Sequence, residues 1–189
     1  MNLAVIPARS GSKRIPGKNI RLFHGNPILA YSIAVAYESG LFPDVVVSTE
    51  SPEYAKIAKA FGAKIHMRAR YLADDLTGTQ EVMRATLAWW RANHAGEVPE
   101  LACCIYATAP LLLASDLVAG LSLLPGHPYA YVPGLYYFGR PEAFLTGVPI
   151  DAGIEVPFPV GRYIDINTEE DWQRAECLYE AVRKESIVA

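Results

Sequence analysis

The sequence of 189 residues is short of most features that would narrow its function by composition alone. It has only three cysteines, Cys103, Cys104 and Cys177. Two are adjacent in an apolar stretch and one falls in a helical pattern, so they give no disulfide framework and are expected to be buried small hydrophobes in a reducing compartment. The four histidines are scattered without metal-ligand spacing. No apolar run is long enough to span a bilayer. The first residues read as a strand without a charged leader, which argues against a signal peptide and for a cytoplasmic location. Charge of one sign is also missing. The net charge of −3, with the one dense cluster of cations in a single loop rather than across a face, argues against a basic nucleic-acid surface. There is no G-x-S-x-G and no Cys/His nucleophile pattern. G-x-G-x-x-G and the Walker A pattern G-x-x-x-x-G-K-[ST] are absent too.

What is present is a strand that runs into a small, cationic loop. Ala4-Val5-Ile6 leads into Pro7-Ala8-Arg9-Ser10-Gly11-Ser12-Lys13-Arg14-Ile15-Pro16-Gly17-Lys18-Asn19. Small residues let backbone N–H groups approach an anion closely. Arg9, Lys13, Arg14 and Lys18 supply compensating charge, so the loop reads as a phosphate cradle. The plainer alternative is a solvated basic turn.

Strand and helix patterns alternate after the loop. Strands are expected at 2–7, 45–48, 64–66 and 102–106. Helices are expected at 28–39, 52–61, 80–95 and 115–123, the last with Ser115 as its N-cap. This alternation implies right-handed βαβ units. The expected fold is a single three-layer α/β/α domain over 1–189 with a mostly parallel sheet. Ligands in such sheets sit beyond the carboxyl ends of strands, where the basic loop, Ser48-Thr49 and Ala107-Thr108-Ala109-Pro110 all fall. Beyond Pro125 the pattern changes. Tyr129–Val132 and Leu135–Phe138 read as strands around a Pro133-Gly134 turn. Residues 148–161 read as a surface connection. Thr168 opens a C-terminal helix to about Lys184, with a Thr168…Asp171 capping box.

The long pattern Ala8-Arg9…Ser12-Lys13…Pro16…Lys18-Asn19 resembles the A-R-x-x-S-K-x-x-P-x-K-N signature of the cytidylyltransferases that activate sialic acids. Three further segments support the resemblance. Arg68 with Leu72-Ala73-Asp74-Asp75 is similar to R-P-x-x-L-A-x-D, with Ala69 in place of proline. Tyr106-Ala107-Thr108-Ala109-Pro110 looks most like the pseudaminic acid branch, as does Gly134-Leu135-Tyr136-Tyr137-Phe138-Gly139, where Leu135 replaces a glutamine. Asp165-Ile166-Asn167 resembles D-I-D, with Asn167 in place of the second acid.

The resemblance implies the nucleotide-diphospho-sugar transferase fold and transfer of CMP from CTP to a nonulosonic acid such as pseudaminic acid. In that reading Arg9, Lys13 and Lys18 are catalytic. Ala8, Arg9, Ser12, Lys13, Asn19, Arg68, Thr108 and Ala109 bind substrate. Asp165 and Asn167 hold Mg²⁺, with Asp165 on a strand end; an amide oxygen at Asn167 brings no charge. Arg68 has an alternative as a surface cation, Thr108 as part of a simple strand-ending turn, and the hairpin aromatics read as core. Asp171 is expected to serve its helix N-terminus.

One family segment is missing. Val132-Pro133 stands where the family carries a protruding arm used for dimer contacts and part of the sugar site. That implies a monomer or weak homodimer. It leaves two alternatives open: a CTP-binding module without transfer activity, or a nucleotidyltransferase for another small acceptor.

Overall fold

The computed structural model describes residues 1–188, with side-chain surroundings through Val182. Its frame is a seven-stranded sheet. β1 (Asn2–Pro7) leads through the basic loop and a small hairpin, β2 (Leu22–Phe23) and β3 (Asn26–Pro27), into α1 (Ile28–Glu38). Then follow β4 (Asp44–Thr49), α2 (Pro52–Ala60), β5 (Lys64–Met67), α3 (Thr79–Asn93), β6 (Leu101–Ile105) and α4 (Ala114–Leu123). The hairpin β7 (Tyr129–Val132) and β8 (Tyr136–Gly139) precedes α5 (Pro141–Thr146), β9 (Ile154–Glu155) and α6 (Glu169–Val188).

The strand order is β5-β4-β1-β6-β8-β7-β9. The first four strands are mutually parallel, while β8 pairs antiparallel with both β6 and β7. β1 connects to β4 on one side and lies beside β6 on the other. The chain therefore reverses direction across the sheet at β1, which opens a crevice at the carboxyl ends of β1 and β6.

Alternation along the strands explains the layering. Ala4, Ile6, Val45, Val47, Cys103 and Ile105 face a core with α1, α2 and α4. Leu3, Val5, Val46, Ala102 and Cys104 face the other way, onto Met83, Leu87 and Trp90 of α3 and Phe144 of α5. Both faces are covered, so the strands read as continuous apolar runs. A third cluster joins Ile15 of the basic loop to Phe23, Ile28, Ile166 and Trp172 under α6. Ile15 is 2% exposed, so the loop is pinned to the core at its middle.

Four expectations are corrected. Residues 148–161 are more than a connection: β9 adds an edge strand, with Ala130 opposite Ile154 and Val156 N–H bonding to the Tyr131 carbonyl at 2.8 Å. Ser115 is not the N-cap of α4. The helix starts earlier, with Leu113 at the cap, and the Asp116 carboxylate accepts the Leu113 N–H at 2.8 Å. Cys177 is exposed, because its face of α6 points away from the third cluster, whereas Cys103 and Cys104 are buried. Asp165 lies in an irregular segment rather than on a strand. The Thr168…Asp171 box is present as read: Asp171 N–H bonds to Thr168 Oγ1 at 3.2 Å, and the Asp171 carboxylate accepts the Thr168 N–H at 2.8 Å.

Candidate active site

A cavity of about 650 Å³ lies at the carboxyl edge, over the crevice between β1 and β6. Four separate stretches of chain build its wall.

The first is the basic loop. Ala8 N–H still bonds to the Ser48 carbonyl at 2.9 Å, extending the β1–β4 ladder by one residue before the chain turns. Gly17 sits at φ 65°, a left-handed conformation that a β-carbon disfavours, and starts the short 3-10 turn Lys18–Ile20. Asn19 is buried and its Nδ2 donates to the Arg9 carbonyl at 2.9 Å. Lys18 Nζ donates to the Ile166 carbonyl at 2.5 Å, tying the loop to the segment that carries Asp165. Burial pushes the Lys18 ammonium below its ordinary value; Asp165 opposes this, while Arg14 and Arg9 add to it. Arg9, Ser12, Lys13, Lys18 and Asn19 all border the cavity.

The second stretch follows β5. The main chain pairs once more, Arg68 N–H to the Thr49 carbonyl at 3.0 Å, then passes through a 3-10 turn at Arg70–Ala73. Asp74 Oδ1 accepts the N–H groups of Leu76 and Thr77, closing a tight turn. This turn lays a strap across the basic loop. Asp75 pairs with Arg9 at 2.7 Å and with Lys13 at 2.6 Å, and Arg9 also donates to the Asp74 carbonyl at 2.8 Å. Arg68 itself is buried against Glu50, Nη2 to Oε2 at 3.5 Å, so it is no surface cation.

The third stretch is the end of β6. Tyr106 and Thr108 border the cavity. The Tyr106 hydroxyl lies 3.0 Å from both Thr79 Oγ1 and the Tyr137 hydroxyl. Burial raises the Tyr106 phenol far above its usual range, so it stays protonated. Its neighbours Tyr136 and Phe138 are buried core, as the sequence suggests for this aromatic run.

The fourth stretch is Asp165-Ile166-Asn167. Ile164 and Ile166 pack into the third cluster, and both polar residues between and after them border the cavity. Asp165 fits closely over the β7–β8 turn. A β-carbon on Gly134, itself at φ 69°, would stand 3.0 Å from Asp165 Cγ. Among the described residues no donor or cation holds the Asp165 carboxylate at bonding distance.

The cavity thus brings together Arg9, Ser12, Lys13, Lys18, Asn19, Arg68, Thr108, Asp165 and Asn167. Ala8 and Ala109 do not border it. Both are buried in the first core cluster, packed among apolar side chains. Glu50 and Thr79 were not singled out by sequence, whereas Asp75, Tyr106 and Tyr137 stood there only as motif positions without an assigned role. An acid beside a core strand or a hydroxyl at a helix start is common, and only proximity marks these.

Among the described residues no group of three or more His, Cys, Asp or Glu side chains could hold a metal by itself. Asp165 and Asn167 nevertheless fit the donor set that Mg²⁺ takes at phosphate sites. There one or two protein oxygens suffice and phosphate and water complete the shell. Among the described residues no helix is long and apolar enough to cross a membrane.

The chain is 42% identical over 112 residues to the pseudaminic acid cytidylyltransferase of Campylobacter jejuni, covering 59% of this chain and 47% of that protein. It is 36% identical over 126 residues to the N-acylneuraminate cytidylyltransferase A of Danio rerio, covering 67% of this chain and 28% of the relative. The matches therefore span less than half the length of either relative. The fold matches CMP:2-keto-3-deoxy-manno-octonic acid synthetase complexed with CTP, with a TM-score of 0.72 at 18% identity over 95% of this chain and 98% of that one. At that identity the likeness shows the fold alone. The cytidylyltransferase family model matches residues 3–132, from the first strand of the sheet to the end of β7, and the chain belongs to the cytidylyltransferase family.

Proposed function

We propose that this protein transfers CMP from CTP to an acidic nine-carbon sugar of the pseudaminic or sialic acid type and releases pyrophosphate. The observation that carries this reading is the convergence on one cavity of a cationic loop, a buried arginine and an oxygen-donor pair from segments far apart in sequence. The printed names of the relatives support CTP and a nonulosonic acid as substrates.

In the proposed reaction an acceptor hydroxyl attacks the α-phosphorus of CTP in line. An O–P bond forms, the bond from the α-phosphorus to the bridging oxygen breaks, and the hydroxyl proton passes to solvent. No protein nucleophile is needed, so the residues act by positioning and by stabilising charge. Arg9 and Lys13 would grip the triphosphate, and to do so they exchange Asp75 for phosphate oxygens. Lys18, held by the Ile166 carbonyl, would face the charge that builds beside Asp165. Ser12 adds a hydroxyl, Thr108 faces the ribose side, and Asn19 keeps the loop in shape through the Arg9 carbonyl. Mg²⁺, bound by Asp165 and Asn167 with substrate oxygens, would neutralise phosphate charge. Arg68 would meet the cytosine edge.

The short turn between β7 and β8 favours a second reading, a CTP-binding module without transfer, because it contributes no residue to the cavity wall. We further propose that residues 1–189 act as one domain, monomeric or weakly dimeric, since the three-residue turn between β7 and β8 offers far less than the roughly 1,000 Å² of a stable interface. A cytoplasmic setting suits its free cysteines. Pyrophosphate release from CTP and Mg²⁺ with a panel of nonulosonic acids tests the reading. Release dependent on such a sugar is expected. CTP binding without release for any acceptor supports the second reading, and release only with another class of acceptor overturns the sugar assignment.

A further inference from the structure

Glu50 belongs to no motif in the sequence, yet it joins two parts of the cavity wall. It follows β4 directly, and its side chain is 11% exposed. Oε1 accepts both the N–H and the hydroxyl of Ser10 at 2.7 Å, which fixes the start of the basic loop. Oε2 faces Arg68 Nη2 at 3.5 Å. Although burial opposes its ionisation, the Ser10 hydrogen bonds and Arg68 hold the Glu50 carboxyl below its ordinary value.

Arg68 supplies the second observation. Its side chain is 2% exposed, it borders the cavity, and among the described residues its Nε has no hydrogen-bond partner. A buried guanidinium N–H without an acceptor is unfavourable, and a ligand in the cavity that Arg68 borders could supply one. Glu50 is its only ion-pair partner among the described residues; burial, and to a smaller extent Arg9, disfavour its charge, and Glu50 opposes them.

We propose that Glu50 is a positioning residue for base selectivity: its carboxylate holds Arg68 in one orientation at the cavity wall. The inference rests on the CTP reading. Arginine carries donors and no acceptor. Cytosine presents two adjacent acceptors, N3 and O2, where uracil places an N–H donor at position 3. A guanidinium that cannot swing away accepts the first edge and rejects the second. A guanidinium released from Glu50 adapts to either.

Calorimetric titration of wild type and Glu50→Gln with CTP, UTP and inorganic tripolyphosphate tests this. The glutamine keeps the volume and an oxygen for Ser10 but removes the charge opposite Arg68. Wild type is expected to prefer CTP. In Glu50→Gln, CTP affinity falls about tenfold, the scale of one hydrogen bond to a charged group, and the CTP-to-UTP ratio moves towards one. Tripolyphosphate affinity stays within about twofold, because the glutamine oxygen still accepts from Ser10 and the loop keeps its shape. If CTP and tripolyphosphate weaken together, Glu50 serves only the shape of the loop and the proposal fails. It fails equally if the variant keeps the wild-type ratio. A wild type with no CTP preference overturns the base reading itself, and this proposal with it. Should Glu50→Gln not fold, Ser10→Ala leaves the carboxylate opposite Arg68 and is expected to keep the ratio within about twofold of wild type; a collapsed ratio there places selectivity in the loop and overturns the proposal.

Discussion

The parallel strands β5, β4, β1 and β6 and the added strands β8, β7 and β9 share one sheet but meet the cavity differently. Each parallel strand ends at the same edge, so each delivers its following residues to one place: the basic loop after β1, Glu50 after β4, Arg68 after β5 and Tyr106 after β6. The antiparallel hairpin turns back at that edge and offers only a tight turn, against which Asp165 rests. Polar recognition therefore concentrates in the first set, while the second shapes a wall and anchors α5 and the 148–167 stretch. The family match covers residues 3–132 and so includes the first set whole.

The largest expected effect falls where the two regions touch. Asp165→Ala should reduce Mg²⁺-dependent pyrophosphate release by about a hundredfold or more, since even the supporting residues of metal ligands contribute 10–100-fold. Asn167→Asp should lower the Mg²⁺ concentration needed for half-maximal rate by adding a carboxylate to the ion. Unchanged Mg²⁺ dependence in both variants would detach the irregular segment from the chemistry and leave the parallel half to act alone.

Next is the parallel half by itself. Arg9→Ala and Lys13→Ala should each weaken CTP binding by about ten- to a hundredfold, the scale of a charge-assisted hydrogen bond. Their side chains are 35% and 81% exposed, so the thermal midpoint should barely move. Isothermal titration beside a melting curve reads both quantities, and wild-type affinity in both variants would return the loop to a solvated turn.

The hairpin half should respond in stability rather than in binding. A β-carbon on Gly139 would stand 2.5 Å from Tyr129 Cδ1 and 3.0 Å from Phe144 Cε2, both fully buried rings. Gly139→Ala should therefore destabilise by about 1–3 kcal/mol through overpacking. Urea unfolding measures that loss. CTP affinity in the folded variant is expected to hold, and a fall in affinity at unchanged stability would erase the contrast between the halves.

The smallest effect concerns the strap. Asp75 occupies the two cations that a triphosphate would need. Its pairs are partly exposed, and pairs of that kind contribute little in water. Asp75→Asn should thus raise tripolyphosphate affinity by a few-fold at low salt, with the gain shrinking as salt screens the charges. A loss of affinity would mean that Asp75 organises Arg9 and Lys13 rather than competing for them.

What could be read from sequence follows from what local chemistry controls. The strand-to-loop transition at Pro7, the apolar runs of the central strands and the Thr168…Asp171 cap depend on near neighbours in the chain, so they were legible. The helix start at Leu113 escaped because a carboxylate three residues on does the capping. The edge strand β9 escaped because two residues carry no periodicity; its partner Tyr131 makes it a strand. Asp165 was recognisable as a site residue, yet its irregular backbone is set by Ile164 and Ile166 packing under α6.

By itself, then, the sequence determined the alternating α/β frame and the identity of the cationic loop, since hydrophobic period and turn chemistry act over a few residues. Only the tertiary structure decided which charges meet. Asp75 on Arg9 and Lys13, Glu50 between Ser10 and Arg68, and Lys18 on the Ile166 carbonyl are pairs made by strand order. Strand order is fixed by burying both faces of the sheet at once, a condition on the whole chain that no local segment carries.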